Sequence, residues 1–312
     1  MGNITLQHQP VLCSEVLAAL NVQLDGVYVD CTFGRGGHAA AILERLGEKG
    51  RLLALDRDPS AAHDAAVKFG QDARFTFVKA VFSQLAEISA AYGLTGRLDG
   101  VLLDLGVSSP QLDDPARGFS FSQGGPLDMR MDPTVGESAA EWLNRVSETE
   151  LARVLGEFGE ERFYRRVARA IVAARQQAPI TATAQLAALV AAAVPTREPG
   201  KHPATRAFQA IRIAVNDELR ELQAVLSQAV QALAPRGRLV VISFHSLEDR
   251  MVKRFMREQA QGQELPLDLP VAGAPEGKTL RLLSRALRPG VAEIAANPRA
   301  RSAVLRVAER LG

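Results

Sequence analysis

Cysteine is scarce in this chain of 312 residues, which has only Cys13 and Cys31. Their spacing fits no zinc or redox pattern, and two thiols make no disulfide framework. Such cysteine usage points to a reducing compartment, so the expected localisation is cytoplasmic. Long hydrophobic runs are also missing. The most apolar stretch, Leu186 to Val194, is too short to span a bilayer. Met1 to Pro10 carries neither a basic n-region nor an apolar h-region, so no secretory leader is expected. Leu6 stands where a myristoylation site following Gly2 requires Ser or Thr. Charge of one sign is nearly absent overall: the net charge is +2. A nucleic-acid partner is therefore allowed but not demanded, and any basic surface must be local. No internal repeat is visible.

Hydrophobic residues make up 47% of the chain, enough for a sizeable core. The first third alternates short apolar runs with helical stretches. Gly26–Asp30, Arg51–Asp56, Arg74–Val78 and Gly100–Asp104 are nearly continuous apolar runs, as in strands buried on both faces of a parallel sheet. Segments such as Pro59–Phe69 have helical length. The alternation predicts a doubly wound α/β sheet. The next comparable strand, Arg238–Ser243, comes roughly 130 residues after Asp104, far more than one crossover helix needs. Something is inserted. Ser108 to Pro133 is rich in Gly, Pro, Ser and Asp and reads as a long loop. Helices follow: Leu151–Phe158 behind a capping box of Ser147 and Glu150, Glu160–Ala174, Thr183–Val194 and, after a break at Pro195–Pro203, one long helix over Thr205–Leu233. Thr279–Leu287 and Ser302–Ala308 read as a closing antiparallel pair at a sheet edge. The domain division is 1–109 and 215–312 for the α/β part, with 110–214 as an inserted helical domain.

The first predicted strand ends in Asp30-Cys31-Thr32-Phe33-Gly34-Arg35-Gly36-Gly37-His38. A glycine-rich turn between strand and helix lets backbone approach a nucleoside closely. Nineteen residues after Gly37 the second strand ends in Asp56, placed to accept from both ribose hydroxyls. A dehydrogenase would set a pyrophosphate on the glycine turn. Asp30 would repel that group, but it suits the amino group and sulfonium of S-adenosylmethionine. A non-catalytic RNA-binding module would leave the glycine turn and Asp56 unused.

Five motifs in order carry a specific resemblance. They are Asp30-x-Thr32-x-Gly34-x-Gly36-Gly37-His38; Leu103-Asp104-Leu105-Gly106-Val107-Ser108-Ser109-Pro110-Gln111; Pro126-Leu127-Asp128-Met129-Arg130-Met131; His202-Pro203-Ala204-Thr205-Arg206; and Ser243-Phe244-His245-Ser246-Leu247-Glu248-Asp249-Arg250. Together, from about His8 to Arg310, they resemble the bacterial ribosomal RNA small-subunit methyltransferase H family. The resemblance implies a class I S-adenosylmethionine-dependent methyltransferase fold with an inserted all-α domain. It implies N4-methylation of one cytidine in the decoding region of 16S ribosomal RNA, with the small ribosomal subunit as partner and no membrane. A homodimer is left open. By position it assigns the cofactor contacts to Gly36, Gly37, His38, Asp56, Phe82, Asp104 and Gln111. The glycines, Asp56 and Asp104 stand out from the residues themselves. Phe82 reads equally well as an adenine cover or as core, and Gln111 rests on the resemblance alone.

A cytosine amine is a poor nucleophile, while a sulfonium-borne methyl group is already activated. The protein's task is positioning, plus acceptors for the amine's N–H groups; no metal is called for. Many amino-methyltransferases place Asp, Asn or Ser with two prolines and an aromatic after the fourth strand. Here Asp104 stands at the strand end and Ser108-Ser109-Pro110 a turn later, without the aromatic. Asp104 is the first catalytic candidate, against a purely cofactor role. Ser108 and Ser109 are weaker, since such serines commonly form turns. His245 could contact RNA or the base, or orient its loop with Asp249; Asp128 and Arg130 read as loop partners as readily as substrate contacts. Residues 160–212 hold nine basic side chains (Arg162, Arg165, Arg166, Arg169, Arg175, Arg197, Lys201, Arg206, Arg212) against Glu160, Glu161 and Glu198. Arg162, Arg165, Arg166 and Arg169 are spaced for one helix face, a candidate phosphate-binding surface.

Overall fold

The computed structural model describes residues 10–196, 200, 202–262 and 277–312. The N-terminal stretch before Pro10, His8 included, and Arg197, Glu198 and Lys201 lie outside the described residues. The chain divides into two compact units, residues 1–106 with 220–312, and residues 107–219.

The first unit is built on a sheet of seven strands: β1 (Val27–Asp30), β2 (Arg51–Asp56), β3 (Phe75–Lys79), β4 (Leu98–Asp104), β5 (Leu233–Ser243), β6 (Leu280–Leu282) and β7 (Val304–Arg310). Their order is β3-β2-β1-β4-β5-β7-β6. Neighbours from β3 through β5 pair in parallel. β7 runs antiparallel to both β5 and β6. This is a doubly wound order, as the class I methyltransferase resemblance implies. The winding direction reverses between β1 and β4, and the carboxyl ends of strands at such a switch point form a ligand crevice.

The helices, in chain order, are α1 (Cys13–Leu20), α2 (Gly37–Leu43), α3 (Pro59–Phe69), α4 (Leu85–Ala91), α5 (Ser109–Asp113), α6 (Ala139–Arg145), α7 (Glu148–Glu157), α8 (Tyr164–Arg175), α9 (Thr183–Ala193), α10 (Thr205–Asn216), α11 (Glu218–Ala232), α12 (Ser246–Gln261) and α13 (Val291–Ala296). Alternate strand residues feed two cores. Val29, Leu53, Leu55, Val101, Leu103 and Val241 pack with α4, α11 and α12 on one face. Tyr28, Leu52, Ala54, Leu102, Val240 and Ile242 pack with α1, α2 and α3 on the other. Burial on both faces explains why these strands read as unbroken apolar runs. No helix among the described residues is long and apolar enough to cross a membrane.

In the second unit, α6 to α10 enclose a separate core of Leu143, Leu151, Leu155, Val167, Ile171, Leu186, Val190 and Ile211. Several sequence expectations change here. The long helix expected over Thr205–Leu233 is broken at Asp217, which adopts φ 53 and separates α10 from α11. The expected helix at Glu160 begins at Tyr164 because Glu160 is left-handed (φ 49). Ser147 caps α7 by accepting from the Glu150 N–H at 3.2 Å. The Glu150 carboxylate is held by Arg153 at 2.6 Å. The segment read as loop contains α5, whose first turn accommodates Pro110. The strand expected over Thr279–Leu287 is confined to Leu280–Leu282.

Candidate cofactor and active site

The site of the first unit is built where β1, β2 and β4 end. Asp30 closes β1 and is 1% exposed. Its Oδ1 accepts from the Thr32 N–H at 3.0 Å. The Thr32 hydroxyl in turn accepts from the Asp104 N–H at 2.6 Å, joining the tips of β1 and β4. Gly36, with φ 76, caps α2; a Cβ there would lie 2.7 Å from the rings of Phe33 and Phe69. Only glycine lets this turn close on its aromatic floor. Gly37 and His38 then form the first turn of α2.

Asp56 closes β2 and draws the turn together. Its Oδ2 accepts from the Gly34 N–H at 2.7 Å and its Oδ1 from the Asp58 N–H at 2.8 Å. Burial pushes its carboxyl pKa above the ordinary range, opposed by these backbone donors. The Arg57 N–H is a third backbone donor, and since a carboxylate offers about four acceptor positions, capacity remains for a ligand hydroxyl. Asp104 closes β4. Its Oδ1 is buried and has no hydrogen-bond partner among the described residues, while its Oδ2 lies 3.6 Å from His38 Nδ1. Burial pushes the Asp104 pKa well up, and the carboxylates of Asp30 and Glu248 add to it. His38 is buried, with Nε2 3.1 Å from the Val11 carbonyl. Burial lowers its pKa to about 4, with the Val11 contact opposing. Phe82 opens a 3-10 turn directly after β3 and packs, half-buried, on the core around Leu55 and Leu103.

The structure thus brings Gly36, Gly37, His38, Asp56 and Asp104 to the carboxyl edge of one sheet, with Phe82 on the adjoining turn. Gln111, Ser108 and Ser109 belong to the second unit. There, Gln111 is buried and its Oε1 accepts from the Ser108 N–H at 2.9 Å, closing the first turn of α5. Asp128 and Arg130 hold each other through two bonds, at 2.9 and 2.7 Å, ordering their own loop. His245 does not pair with Asp249. It caps α12 and lies 3.2 Å from Glu248, while Asp249 binds Arg306 at 2.7 Å.

Two residues that sequence reasoning passed over matter here. Glu248 is 2% exposed and accepts from the Phe244 N–H at 2.9 Å, which sets a buried carboxylate near Asp104. The signal was available: Glu three positions after a helix cap is a capping-box pattern. In the second unit, buried Asn216 donates to the Met129 carbonyl at 2.7 Å and accepts from the Met131 N–H at 2.8 Å. Nothing local in the sequence marks it.

The donor set fits one kind of ligand. Paired carboxylate oxygens on Asp56 suit a ribose, the open glycine turn admits backbone contact, and a buried, unpartnered acceptor on Asp104 beside Asp30 suits positive charge. A nucleoside bearing a cationic group satisfies all three.

The chain is similar to known proteins over nearly its whole length. The sequence model of the MraW methylase family matches residues 5–311. The chain is 64% identical over 305 residues to the ribosomal RNA small subunit methyltransferase H of Thioalkalivibrio sulfidiphilus, covering 97% of each protein. Among solved structures, an rRNA methylase from Streptococcus thermophilus is 9% identical with a TM-score of 0.41, over 96% of this chain and 95% of that one. The N-methyltransferase NodS of Bradyrhizobium japonicum, in complex with S-adenosyl-L-homocysteine, is 9% identical with a TM-score of 0.43, over 98% and 90%.

Proposed function

The chain belongs to the MraW methylase family, an S-adenosylmethionine-dependent methyltransferase family, and on that premise we propose that it methylates N4 of a cytidine in the decoding region of 16S ribosomal RNA, in the cytoplasm. The single observation that carries the chemistry is the convergence of Asp30, Asp56 and Asp104 with the glycine turn at the switch point of the sheet. The relative's name, at 64% identity over nearly the whole chain, supports small-subunit ribosomal RNA as the substrate; the cytidine N4 position is what the family resemblance implies.

When bound, S-adenosylmethionine supplies a methyl group activated by its sulfonium. The rest falls to this chain. Asp56 accepts from the ribose hydroxyls, the Gly34–Gly37 turn lets backbone reach the ligand, and Phe82 covers the adenine. Asp104 accepts an N–H of the target amine, which aligns the nitrogen lone pair as the ring's hold on it weakens. As the nitrogen–carbon bond forms and the sulfur–carbon bond breaks, the amine sheds one proton, and the Asp104 carboxylate receives it.

The inserted domain, residues 110–214, selects the RNA in this reading. Arg165, Arg166 and Arg169 are exposed on α8, with no ion pair among the described residues. Arg162 lies in the turn before α8, so of the four arginines expected on one face only Arg165, Arg166 and Arg169 lie on the helix. Phosphate binding there would offset the few kcal/mol that a cytidine loses on leaving its stack.

The test is mass spectrometry of small-subunit RNA from cells with and without the gene, joined to in vitro methylation by the purified protein. One N4-methyl group on a decoding-region cytidine should disappear with the gene and return with the protein. An unchanged methylation pattern would overturn the assignment.

A further inference from the structure

Buried and half-buried carboxylates gather at the carboxyl edge of the first unit. Asp30, at the end of β1, feels the negative charge of Asp56 from β2. Asp104, at the end of β4, feels Asp30 and the Glu248 carboxylate from α12. Asp56 feels Asp58. The titratable group facing Asp104 from α2 is His38, and its geometry bears on where a proton sits.

The Val11 carbonyl can only accept, so the 3.1 Å contact at His38 Nε2 places the imidazole hydrogen on that nitrogen. Nδ1 is then a bare lone pair, and it faces Asp104 Oδ2 at 3.6 Å. Two lone-pair atoms that face each other at this distance repel unless one carries a proton. His38 is 6% exposed and is held neutral by burial. Asp104 keeps a quarter of its side chain open to solvent, so a proton on it can be exchanged.

We propose that Asp104 carries a proton directed at His38 Nδ1 in the ligand-free protein and releases it to solvent when a cationic ligand binds. The dyad thereby discriminates S-adenosylmethionine, with its positive sulfonium, from the demethylated product, whose sulfur is neutral. Neutral Asp104 has no charge to offer the product, while ionised Asp104 is stabilised by the sulfonium. Loading leaves the carboxylate ionised, which is the state needed to take the proton shed by the amine. After transfer the proton is back on Asp104, the positive sulfur is gone, and the pocket again prefers a fresh cofactor over the spent one. Asp104 is the specificity determinant and His38 positions its proton. The inference rests on the cofactor part of the reading above and not on its RNA part.

The experiment is isothermal titration of the full-length protein with S-adenosylmethionine and, separately, with S-adenosylhomocysteine. It is run at about pH 6.5, below the α-amino range of about 7.7–8.0, so that both ligands carry a charged amino group. Repeating each titration in buffers of different ionisation enthalpy counts the protons released. The methylated ligand should release up to about one proton more than the product, and its relative affinity should rise from pH 5.5 to pH 7.5. Asp104→Asn, which cannot ionise, should abolish that difference and narrow the preference for the methylated ligand roughly tenfold, the effect of losing one partly screened charge interaction. If this variant does not fold, the same titrations on Asp30→Asn decide: loss of the difference there would assign the proton to Asp30, whose carboxyl is raised to about 7, and overturn the proposal. Equal proton counts for the two ligands would overturn the proposal while leaving the cofactor assignment in place. Failure of both ligands to bind would overturn the cofactor assignment and this proposal with it.

Discussion

Gly34 donates its backbone N–H to Oδ2 of Asp56 at 2.7 Å, which ties the glycine turn after β1 to the tip of β2. Asp56 therefore shapes the turn as well as offering acceptors to a ribose. Asp56→Ala removes both. The charge-assisted hydrogen bonds it forfeits are worth about 1.5–3 kcal/mol, so S-adenosylmethionine affinity should fall roughly tenfold to hundredfold. Calorimetric titration checks this, and an unchanged affinity would remove Asp56 from the site.

The glycine turn itself makes a second prediction. Gly36 has φ 76 and a substituent Cβ would meet Phe33 and Phe69 at 2.7 Å. A left-handed non-glycine residue costs about 1–2 kcal/mol, and crowding an aromatic floor costs about 1–3 kcal/mol more. Gly36→Ala should lower the urea midpoint accordingly and weaken cofactor binding with it. A variant as stable as the parent would show that the turn is not held as described.

Burial pushes the Asp30 carboxyl from 3.8 to about 7, with the Thr32 hydrogen bonds opposing and Asp56 adding. Between those values the folded protein keeps the proton while the unfolded chain has lost it. Stability from this group is therefore complete below about pH 4 and is lost as pH rises toward 7. From pH 5 to pH 8 the loss is about 3 kcal/mol. Asp30→Asn should flatten that decline, and denaturation curves of both proteins at the two pH values give the comparison. Parallel declines would mean that Asp30 is ionised throughout.

Asp104→Ala separates two roles. If the carboxylate accepts from the target amine, single-turnover methylation at saturating cofactor should fall by about a hundredfold or more, well beyond any loss of cofactor affinity. Equal losses in rate and affinity would make Asp104 a cofactor ligand alone and move the search for the amine's acceptor to Ser108 to Gln111.

On α8, replacing Arg165, Arg166 and Arg169 together by Gln should leave S-adenosylmethionine binding intact. Affinity for the small ribosomal subunit should drop, and its log–log salt slope should flatten by about 0.7–0.9 for each phosphate no longer neutralised. Subunit binding measured at several salt concentrations decides it; an unaltered slope would leave these arginines as a merely solvated face.

Elements that depend on nearest neighbours were legible in the chain. β2 and α3 run over Arg51–Asp56 and Pro59–Phe69, as their composition predicts, because a continuous apolar run and a Pro at the first helical position are local signals. The glycine turn and its distal acid were legible for the same reason. Helix ends were not. Asp217 and Glu160 break or delay helices through left-handed backbone that tertiary packing imposes on residues whose own preferences are mild. β7 enters the sheet between β5 and β6, which pairing across the sheet decides and no local pattern records.

The sequence by itself determined which residues can carry charge, where strands must be buried on both faces, and that Asp30, Asp56 and Asp104 end three of them. These follow from residue type and period. Only the tertiary structure decided their states. Burial raises the Asp30 carboxyl to about 7, His38 Nδ1 lies 3.6 Å from Asp104, and Glu248 adds its charge from α12. The reason is physical: a protonation state is set by burial and by nearby charges, and those come from segments up to 144 positions away, from Asp104 to Glu248, that meet only when the sheet is assembled.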